Sequence, residues 1–298
     1  MAFKSGFVAI IGKPNVGKST LLNAILQKKV AIATPKPQTT RDNIRGILTM
    51  EDCQIVFIDT PGIHKPKAKL NEMMVKHAYD AIRDVDMLLL LIDATKPLDG
   101  ADRVIINTIR DMDLPKFLIV NKIDKLNKSE LLDLLQGVDT ELFDEIIPVS
   151  ALRSRNIEEL INTVKSYLKE DVQYYPSDMI SDYPEEFMIS EIIREKIMLN
   201  TEQEIPHAIA VTIENIEHKK DVDVINALIV CEKPSQKSII IGKRGEKLKE
   251  IATFARSELE ERLNKKVFLE VFVSVEENWR NKKYQLANFG YYDRENDE

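Results

Sequence analysis

The residues with the clearest chemical potential lie near the start of the chain, where a short apolar strand runs into a glycine loop. Gly12 and Gly17 enclose four residues, Lys18 and Ser19 follow directly, and a segment with helical apolar spacing comes next. Glycines let backbone N–H groups turn inward around phosphate oxygens, and the start of a helix adds its positive end. We therefore expect a polyphosphate site, with Lys18 on the β- and γ-phosphates and the Ser19 hydroxyl on Mg²⁺.

Two later loops carry groups that would sense the terminal phosphate. Prolines exclude a helix from residues 35–42, and a threonine on such a loop completes a Mg²⁺ shell only while the γ-phosphate is bound. Of Thr39 and Thr40, we expect Thr40 to do so. The second loop follows a predicted strand that ends at Asp59, which would bind Mg²⁺ through water, and the N–H of Gly62 would meet the γ-phosphate.

A further loop has the residue types needed to select a base. It reads Asn121-Lys122-Ile123-Asp124 and follows an apolar strand. A carboxylate accepts two parallel hydrogen bonds from the N1–H and the amino group of guanine, and adenine offers no such pair. Asp124 is therefore expected to select guanine, with the stem of Lys122 along the ring and Asn121 tying this loop to the phosphate loop.

The predicted nucleotide site draws on four loops. Its residues are Gly12, Lys13, Pro14, Asn15, Val16, Gly17, Lys18, Ser19, Thr20, Asp59, Thr60, Pro61, Gly62, Ile63, Asn121, Lys122, Ile123, Asp124, Ser150, Ala151 and Leu152. The catalytic groups are expected to be Lys18, Asn15 and Gly62, together with Thr40 from the loop at residues 35–42. The metal is expected to be held by Ser19 and Thr40, and by Asp59 through water.

These loops need a scaffold that brings strand ends together. Apolar runs alternate with segments of helical spacing through the first half of the chain, which predicts a doubly wound parallel sheet covered on both faces. We place this first domain at residues 1–170. Residues 171–185 lose the periodicity and are predicted to be a linker, followed by a second domain at 186–276 and a tail at 277–298.

The second domain has a different pattern and a local positive charge. Its predicted order is α-β-β-α-α-β, and Gly242-Lys243-Arg244-Gly245 lies between the later two helices. Residues 233–249 carry six basic side chains and one acidic one in a chain whose net charge is −7. A tight glycine loop with cations between its glycines suits a nucleic-acid backbone. The expected RNA-binding residues are Ile241, Gly242, Lys243, Arg244, Gly245, Lys247 and Lys249, beside an apolar groove of Ile239, Ile240, Ile241, Leu248 and Ile251.

Composition narrows the class of protein. The chain has 298 residues, of which 44% are hydrophobic, enough for two domains with cores. Its longest apolar run, residues 87–92, is far shorter than the roughly 20 residues of a membrane span. The two cysteines, Cys53 and Cys231, are far apart in sequence, and we expect both to be reduced thiols. We expect a cytoplasmic protein without an export signal; peripheral contact with the inner face of the cell membrane is left open.

The first domain contains the motifs GKPNVGKST, QTTRD, DTPG, NKID and SAL, and the second contains GKRG in its α-β-β-α-α-β setting. Together these motifs resemble those of the Era family of bacterial ribosome-associated GTPases. The resemblance covers nearly the whole chain. It implies an α/β P-loop GTPase domain with a doubly wound sheet, followed by an α+β type II KH domain. It further implies that GTP is hydrolysed to GDP with Mg²⁺, and that the KH domain holds 16S rRNA near its 3′ end during assembly of the 30S ribosomal subunit. Nucleotide state would control RNA binding, and DNA is not an expected partner.

The motif after Gly62 departs from that of signalling GTPases. Those enzymes carry a glutamine that orients the attacking water, whereas this chain has Ile63, which cannot hydrogen bond. Water would then be positioned by backbone, a loop group, a partner or a monovalent ion. In related tRNA-modification GTPases the asparagine that matches Asn15 holds K⁺, which implies slow hydrolysis stimulated by K⁺ or RNA.

Three other classes share parts of this pattern. A P-loop kinase would share the first loop but would not need Asp124. An RNA-binding module with an inactive nucleotide site would release no phosphate, and a tRNA-modification GTPase should carry a modification domain instead of a KH fold.

The aromatic and basic tail has two interpretations of equal weight. Trp279 would either stack on bases or close onto the core.

Overall fold

The structure is a computed structural model that describes residues 2–66, 68–202 and 204–291. Within this part, the chain divides into two compact units, one of residues up to 66 with 74–182 and one of residues 68–73 with 183 onward. The domain limits predicted at residues 170, 185 and 276 stay a prediction. Residues 292–298, the end of the predicted tail, lie outside the described residues.

The first unit is built on a mixed sheet. Its strands are β1 Lys4–Gly12, β2 Ile44–Thr49, β3 Cys53–Asp59, β4 Met87–Asp93, β5 Lys116–Asn121, β6 Glu145–Val149 and β7 Lys169–Glu170. Their spatial order is β2-β3-β1-β4-β5-β6, and β7 pairs with the start of β1. Five strands are parallel, while β2 runs antiparallel to β3 at the edge.

The helices that alternate with these strands in sequence are α1 Lys18–Leu26, α2 Lys69–Asp80, α3 Gly100–Ile109, α4 Lys128–Gln136 and α5 Ile157–Tyr167. The first five residues of α2 group with the second unit and the rest with the first. The sheet strands are almost wholly buried, as continuous apolar runs in parallel strands require. Because crossover connections place each loop at the carboxyl end of its strand, Gly12, Asp59 and Asn121 end their strands at the same edge of the sheet.

One helix of the first unit was absent from the sequence prediction. The start of α4 is marked by a capping box, in which the Asn127 side chain accepts from the Glu130 N–H and the Glu130 carboxylate accepts from the Asn127 N–H. The spacing Asn-x-x-Glu was a readable signal. No residue of this helix is fully buried, but Leu131, Leu134 and Leu135 pack against the core of the first unit.

The segment after β7, predicted as a linker, packs along the first unit as far as residue 182. Gln54 on β3 is fully buried, and its Oε1 accepts from the backbone N–H groups of Tyr174 and Tyr175, each at 2.9 Å. Its Nε2 donates to the carbonyl of Tyr175 at 2.9 Å. On β2, the Ile47 N–H donates to the Ile180 carbonyl at 2.7 Å. Residues 171–182 therefore have a fixed course on the β2–β3 edge.

The second unit contains a three-stranded sheet with helices on one face. Its elements are α6 Glu185–Asn200, β8 Ala210–His218, β9 Val222–Cys231, α7 Pro234–Ile241, α8 Glu246–Leu263, β10 Lys266–Val275 and α9 Lys283–Asn288. The strand order is β10-β9-β8, with β9 parallel to β10 and antiparallel to β8. The predicted order α-β-β-α-α-β is confirmed.

The aromatic tail closes onto the second unit. Trp279 is fully buried, its Nε1 donates to the Ala208 carbonyl at 3.0 Å, and its ring contacts those of Phe289 and Tyr291. Of the two interpretations of Trp279, the structure therefore supports the core residue. No helix in the described part of the chain is long and apolar enough to cross a membrane.

Candidate functional site

The phosphate loop joins β1 to α1 through backbone that only glycine adopts easily. Gly12 has φ +148° and Gly17 has φ +105°. A Cβ at Gly17 would lie 2.3 Å from Asn121 Nδ2, and one at Gly12 would lie 2.5 Å from the Leu91 carbonyl oxygen. Both glycines are therefore fixed by close approach as well as by positive φ.

Lys18 is buried at the start of α1 with neutral hydrogen-bond acceptors. Its Nζ donates to the carbonyl oxygens of Gly12 at 3.1 Å and Lys13 at 3.0 Å. Burial lowers the pKa of Lys18 to about 8, although Asp59 acts in the opposite direction. A buried ammonium with neutral partners is well suited to an anion in the loop, because the anion's charge would offset the cost of burial.

Three oxygen-bearing side chains meet at the end of β3. Ser19 Oγ donates to Asp59 Oδ2 at 2.6 Å, and Thr40 Oγ1 lies 2.8 Å from Ser19 Oγ and donates to Asp59 Oδ2 at 3.3 Å. Within the described residues, the buried Asp59 Oδ1 has no hydrogen-bond partner. Burial raises the pKa of Asp59 to about 6, against the lowering influence of Lys18.

This oxygen set fits a hard divalent cation. Mg²⁺ prefers oxygen ligands and is held in nucleotide sites by one or two protein groups together with phosphates. An unsatisfied buried carboxylate oxygen beside two hydroxyls meets that requirement. The described residues hold no group of three or more His, Cys, Asp or Glu side chains placed for a metal, so phosphate oxygens would have to supply the remaining charge.

The two threonines of the first loop have different surroundings. Thr39 Oγ1 donates to the Lys36 carbonyl at 2.7 Å and lies 2.8 Å from Thr34 Oγ1. Thr40 contacts both Ser19 and Asp59. The geometry thus places Thr40 in the oxygen cluster and Thr39 in the hydrogen bonding of its own loop.

Asn121 connects the base loop to its neighbours. Its Nδ2 donates to the Val16 carbonyl at 2.8 Å, and its Oδ1 accepts from the N–H groups of Lys122 at 2.8 Å and Ala151 at 3.0 Å. The exposed carboxylate of Asp124 accepts from Ser150 Oγ at 2.6 Å through Oδ1. The loops that begin at residues 12, 121 and 150 are therefore held in one arrangement.

Asp93 belongs to the site and was absent from the sequence prediction. It ends β4, and its Oδ2 accepts from Lys122 Nζ at 2.7 Å, while the same Nζ donates to the Asn15 carbonyl at 2.7 Å. The rule that singled out Asp59, an acid at the carboxyl end of a parallel strand, also finds Asp93. This ion pair fixes the position of the Lys122 ammonium.

Some predicted residues lie at the margin of the site. Lys13 turns its Nζ to Asp99 at 2.8 Å and Asp102 at 2.6 Å, where α3 begins, so only its backbone faces the phosphate loop. Burial acts to lower the pKa of Lys13, but the hydrogen bonds to Asp102 and Asp99 leave it raised. The Leu152 side chain is 72% exposed.

The cleft beside Lys18 includes residues from both loops that are predicted to sense the terminal phosphate. Its lining is Pro14, Asn15, Gly17, Lys18, Ser19, Thr20, Ala33, Thr34, Gln38, Thr39, Thr40 and Gly62. Gln38 was absent from the predicted site. Its Nε2 lies 3.0 Å from His64 Nε2, and His64 Nδ1 lies 2.7 Å from the Gly62 carbonyl oxygen.

The predicted RNA-binding loop of the second unit is a sharp turn between α7 and α8. Gly242 and Gly245 have φ +72° and +80°, and Arg244 also has positive φ. Lys243 and Arg244 are exposed and, among the described residues, form no salt bridge. The predicted apolar groove is wrong in part, because Ile240 and Ile251 are fully buried in the core. Ile239, another predicted member of the groove, is 44% exposed, and Phe254 on α8, which was not predicted, is 47% exposed.

Comparisons with known proteins agree with both units. Residues 7–122 match the family described as 50S ribosome-binding GTPase, and residues 204–280 match the KH domain. The chain is 50% identical over 295 residues to GTPase Era of Alkaliphilus metalliredigens, covering 98% of this chain and all of that protein. The chain therefore belongs to the Era family. GTPase Era of Clostridioides difficile is 48% identical over 296 residues, with the same coverage.

Two solved Era structures are also similar. One is Era in complex with MgGDPNP and nucleotides 1506–1542 of 16S ribosomal RNA, with a TM-score of 0.95 and 40% identity. The other is a variant of Aquifex aeolicus Era bound to GDP and AlF4⁻, with a TM-score of 0.94 and 40% identity. In both cases the match covers 98% of this chain and all of the other. The expected fold, a P-loop GTPase domain followed by a KH domain, is confirmed.

The buried carboxylate of Asp59 should leave a pH signature in protein free of nucleotide and metal. Its folded pKa of about 6 lies above its unfolded value, so the folded state retains a proton between about pH 4 and 6 that the unfolded chain has lost. Stability attributable to this group should therefore fall as pH rises through that window. Asp59→Asn should remove this slope and raise the free energy of unfolding at pH 7 by an amount on the order of 2 kcal/mol.

Urea denaturation in EDTA from pH 4 to 7 measures this effect. Asp111→Asn, at an exposed aspartate, serves as the control and should keep the wild-type slope. Equal slopes for wild type and Asp59→Asn would show that burial does not penalise this carboxylate.

Proposed function

We propose that this chain hydrolyses GTP to GDP and phosphate and that its KH domain binds 16S rRNA near the 3′ end, as an assembly factor of the 30S ribosomal subunit. The observation that carries the proposal is the arrangement around Asn121, which ties the phosphate loop to the base loop. Such a connection positions a triphosphate and a purine ring together. The similar Era structure that contains MgGDPNP and 16S rRNA nucleotides supports the same pairing of ligands.

The nucleotide roles follow from the contacts. Lys18 would bind the β- and γ-phosphates in place of its present carbonyl partners, and the Gly62 N–H would meet the γ-phosphate. Ser19 and Thr40 would hold Mg²⁺, with Asp59 acting through water. When bound, Mg²⁺ would neutralise charge on the β- and γ-phosphate oxygens. Asp124 would take the guanine edge, steadied by Ser150.

Asn15 is the group proposed to hold K⁺. It lines the same cleft as Lys18, and its Nδ2 donates to the Pro35 carbonyl at 3.0 Å, which directs the amide toward the loop at residues 35–42. Within the described residues its Oδ1 accepts no hydrogen bond, so an amide oxygen is available to a monovalent cation. An ion there would add positive charge where the γ-phosphate develops negative charge.

RNA binding is assigned to the glycine loop and its flanks. The cations at residues 243, 244, 247 and 249 would meet the RNA backbone, and exposed Ile239 and Phe254 would offer apolar surface to bases. The acidic net charge of the chain weakens non-specific phosphate binding and so favours this one patch. A cytoplasmic location accords with Cys53 and Cys231, both buried free thiols.

The proposal that nucleotide state controls RNA binding is supported by the course of the chain. The β2–β3 edge begins just after Thr40 and ends at Asp59, and it holds residues 171–182 through Gln54 and Ile47. Because the second unit follows directly in sequence, a change at the metal site would be felt by the segment that leads into it.

Base selection can be tested at Asp124. Asp124→Asn loses a charged acceptor for the two guanine donors but matches the carbonyl and N–H of xanthine. The affinity for GTP should fall by at least about 100-fold and that for xanthosine triphosphate should rise. Titration with fluorescent nucleotides measures both. Asp133→Asn, on exposed α4 surface, is the control. An unchanged preference for GTP would show that Asp124 does not select the base, and a P-loop kinase would then remain an alternative.

The RNA loop can be tested at Gly245, where a Cβ meets no atom within 4 Å. Gly245→Asp places a negative charge between the loop cations, so affinity for a 16S rRNA 3′-end oligonucleotide should fall by about 10- to 100-fold while hydrolysis without RNA persists. Gly290→Asp is a matched control, because Gly290 has φ +78° and equally open space.

The coupling between nucleotide state and RNA binding can be tested by calorimetry of RNA binding with GDP and with a GTP analogue. Identical RNA affinities in both nucleotide states would refute nucleotide control.

Ion dependence can be tested by hydrolysis in matched KCl and NaCl. The amide of Asn15 should make turnover faster in KCl, and Asn15→Ala should abolish the difference while retaining GTP binding. Phosphate release under saturating GTP provides the measurement. Equal rates of the wild type in both salts would discard the K⁺ proposal but not GTP hydrolysis itself.

A further inference from the structure

The residue after Gly62, which in signalling GTPases is a glutamine that orients the attacking water, is an isoleucine in this protein. Ile63 follows Gly62 and is only 5% exposed, packed in the core of the first unit. Its side chain offers no hydrogen bond. A group that orients the attacking water must therefore come from another part of the cleft.

Gln38 has the missing carboxamide and lies in the right cleft. It lines the space shared by Lys18, Ser19, Thr40 and Gly62, where the γ-phosphate belongs. Its backbone has φ +62°, a left-handed conformation that is uncommon for a residue other than glycine. Strained residues of this kind cluster at functional sites because the surrounding structure must hold them in place.

His64 fixes the orientation of that carboxamide. A carbonyl oxygen only accepts, so the 2.7 Å contact with the Gly62 carbonyl places the proton of neutral His64 on Nδ1. The Nε2 atom then has a lone pair and accepts from Gln38 Nε2 at 3.0 Å. Gln38 Oε1 consequently faces away from the imidazole, and within the described residues it has no hydrogen-bond partner.

We propose that Gln38 is a catalytic residue that orients the attacking water, and that His64 is the residue that positions it. The proposal rests on the GTP hydrolysis proposed above. Gln38 Oε1 would accept a hydrogen bond from the water and so direct its lone pair at the γ-phosphate. The carboxamide stays neutral and exchanges no proton.

The reaction then balances without any further reagent. The water oxygen forms a bond to the γ-phosphorus, and the bond from that phosphorus to the β–γ bridging oxygen breaks with its electron pair left on GDP. The water proton passes to a γ-phosphate oxygen, which gives inorganic phosphate. Gln38 contributes only geometry, and geometry of this kind is worth about 100-fold in rate when a reacting group is displaced by about 1 Å.

The first test removes the carboxamide in two ways. Gln38→Ala and Gln38→Gly should each lower the single-turnover rate of GTP hydrolysis by about 100-fold. Affinity for a non-hydrolysable GTP analogue should stay within about threefold of wild type. The glycine variant relieves any strain at φ +62°, so a common loss in both variants reports the amide. Gln27→Ala is the matched control, since Gln27 is an exposed glutamine with φ +52°.

The second test separates the contact of His64 with Gln38 from its contact with the Gly62 carbonyl. His64→Gln places an acceptor at the Nε2 position and should retain most of the rate, while His64→Asn keeps a donor near the Gly62 carbonyl but loses contact with Gln38. The asparagine variant and His64→Ala should be slow, with analogue affinity unchanged. In Gln38→Ala, replacing His64 by alanine should cause no additional loss, because the two residues act as a unit.

Several outcomes would overturn the assignment. Gln38→Ala hydrolysis at the wild-type single-turnover rate would do so, as would a loss of analogue affinity that accounts for the entire rate change. The loss must also be the same factor in KCl and in NaCl, because it concerns water and not a cation. Absence of phosphate release by wild type itself would instead reject the proposed GTPase activity, so the two failures are distinguishable.

Discussion

The first unit buries two opposite charges without fully compensating either. Lys18 has only carbonyl oxygens as hydrogen-bond acceptors, and Asp59 has one oxygen with hydroxyl donors and one with none among the described residues. Their pKa values move toward each other, that of Lys18 down to about 8 and that of Asp59 up to about 6, because burial penalises both charged forms. A bound anion beside Lys18 and a bound cation beside Asp59 would offset this cost of burial, because they supply the opposite charges.

Much of the site was readable from sequence because its chemistry depends on local order. Residues that follow successive parallel strands meet at one edge of the sheet, so the spacing of Gly12, Asp59 and Asn121 already implied their meeting. The choice of Thr40 over Thr39 was a prediction that local spacing could not decide. In the structure it depends on which hydroxyl reaches Ser19, 21 residues earlier in the chain.

The features that sequence did not reveal depend on distant partners. Gln54 is an ordinary polar residue in a strand until Tyr174 and Tyr175, about 120 residues later, bring their backbone to it. The tie between Gln38 and His64 likewise spans 26 residues and two irregular loops. Neither pattern has a period or a motif. Helix α4 differs, because its capping box is local and joins residues only three positions apart.

The edge strand β2 and its neighbour β3 connect the oxygen cluster to residues 171–182. Strand β2 is the one antiparallel strand among the six that form the path of the sheet, and it joins the loop of Thr40 to the strand that ends at Asp59. Because Ile44 pairs with Asp59, the start of β2 and the end of β3 lie at the same end of the pair, next to the oxygen cluster. Because Gln54 is fully buried and hydrogen bonded through both of its polar atoms, residues 174 and 175 cannot stay in place if β3 shifts without leaving buried polar groups unsatisfied. The cost of breaking these bonds makes the movement of residues 171–182 with the β2–β3 edge the lower-energy response.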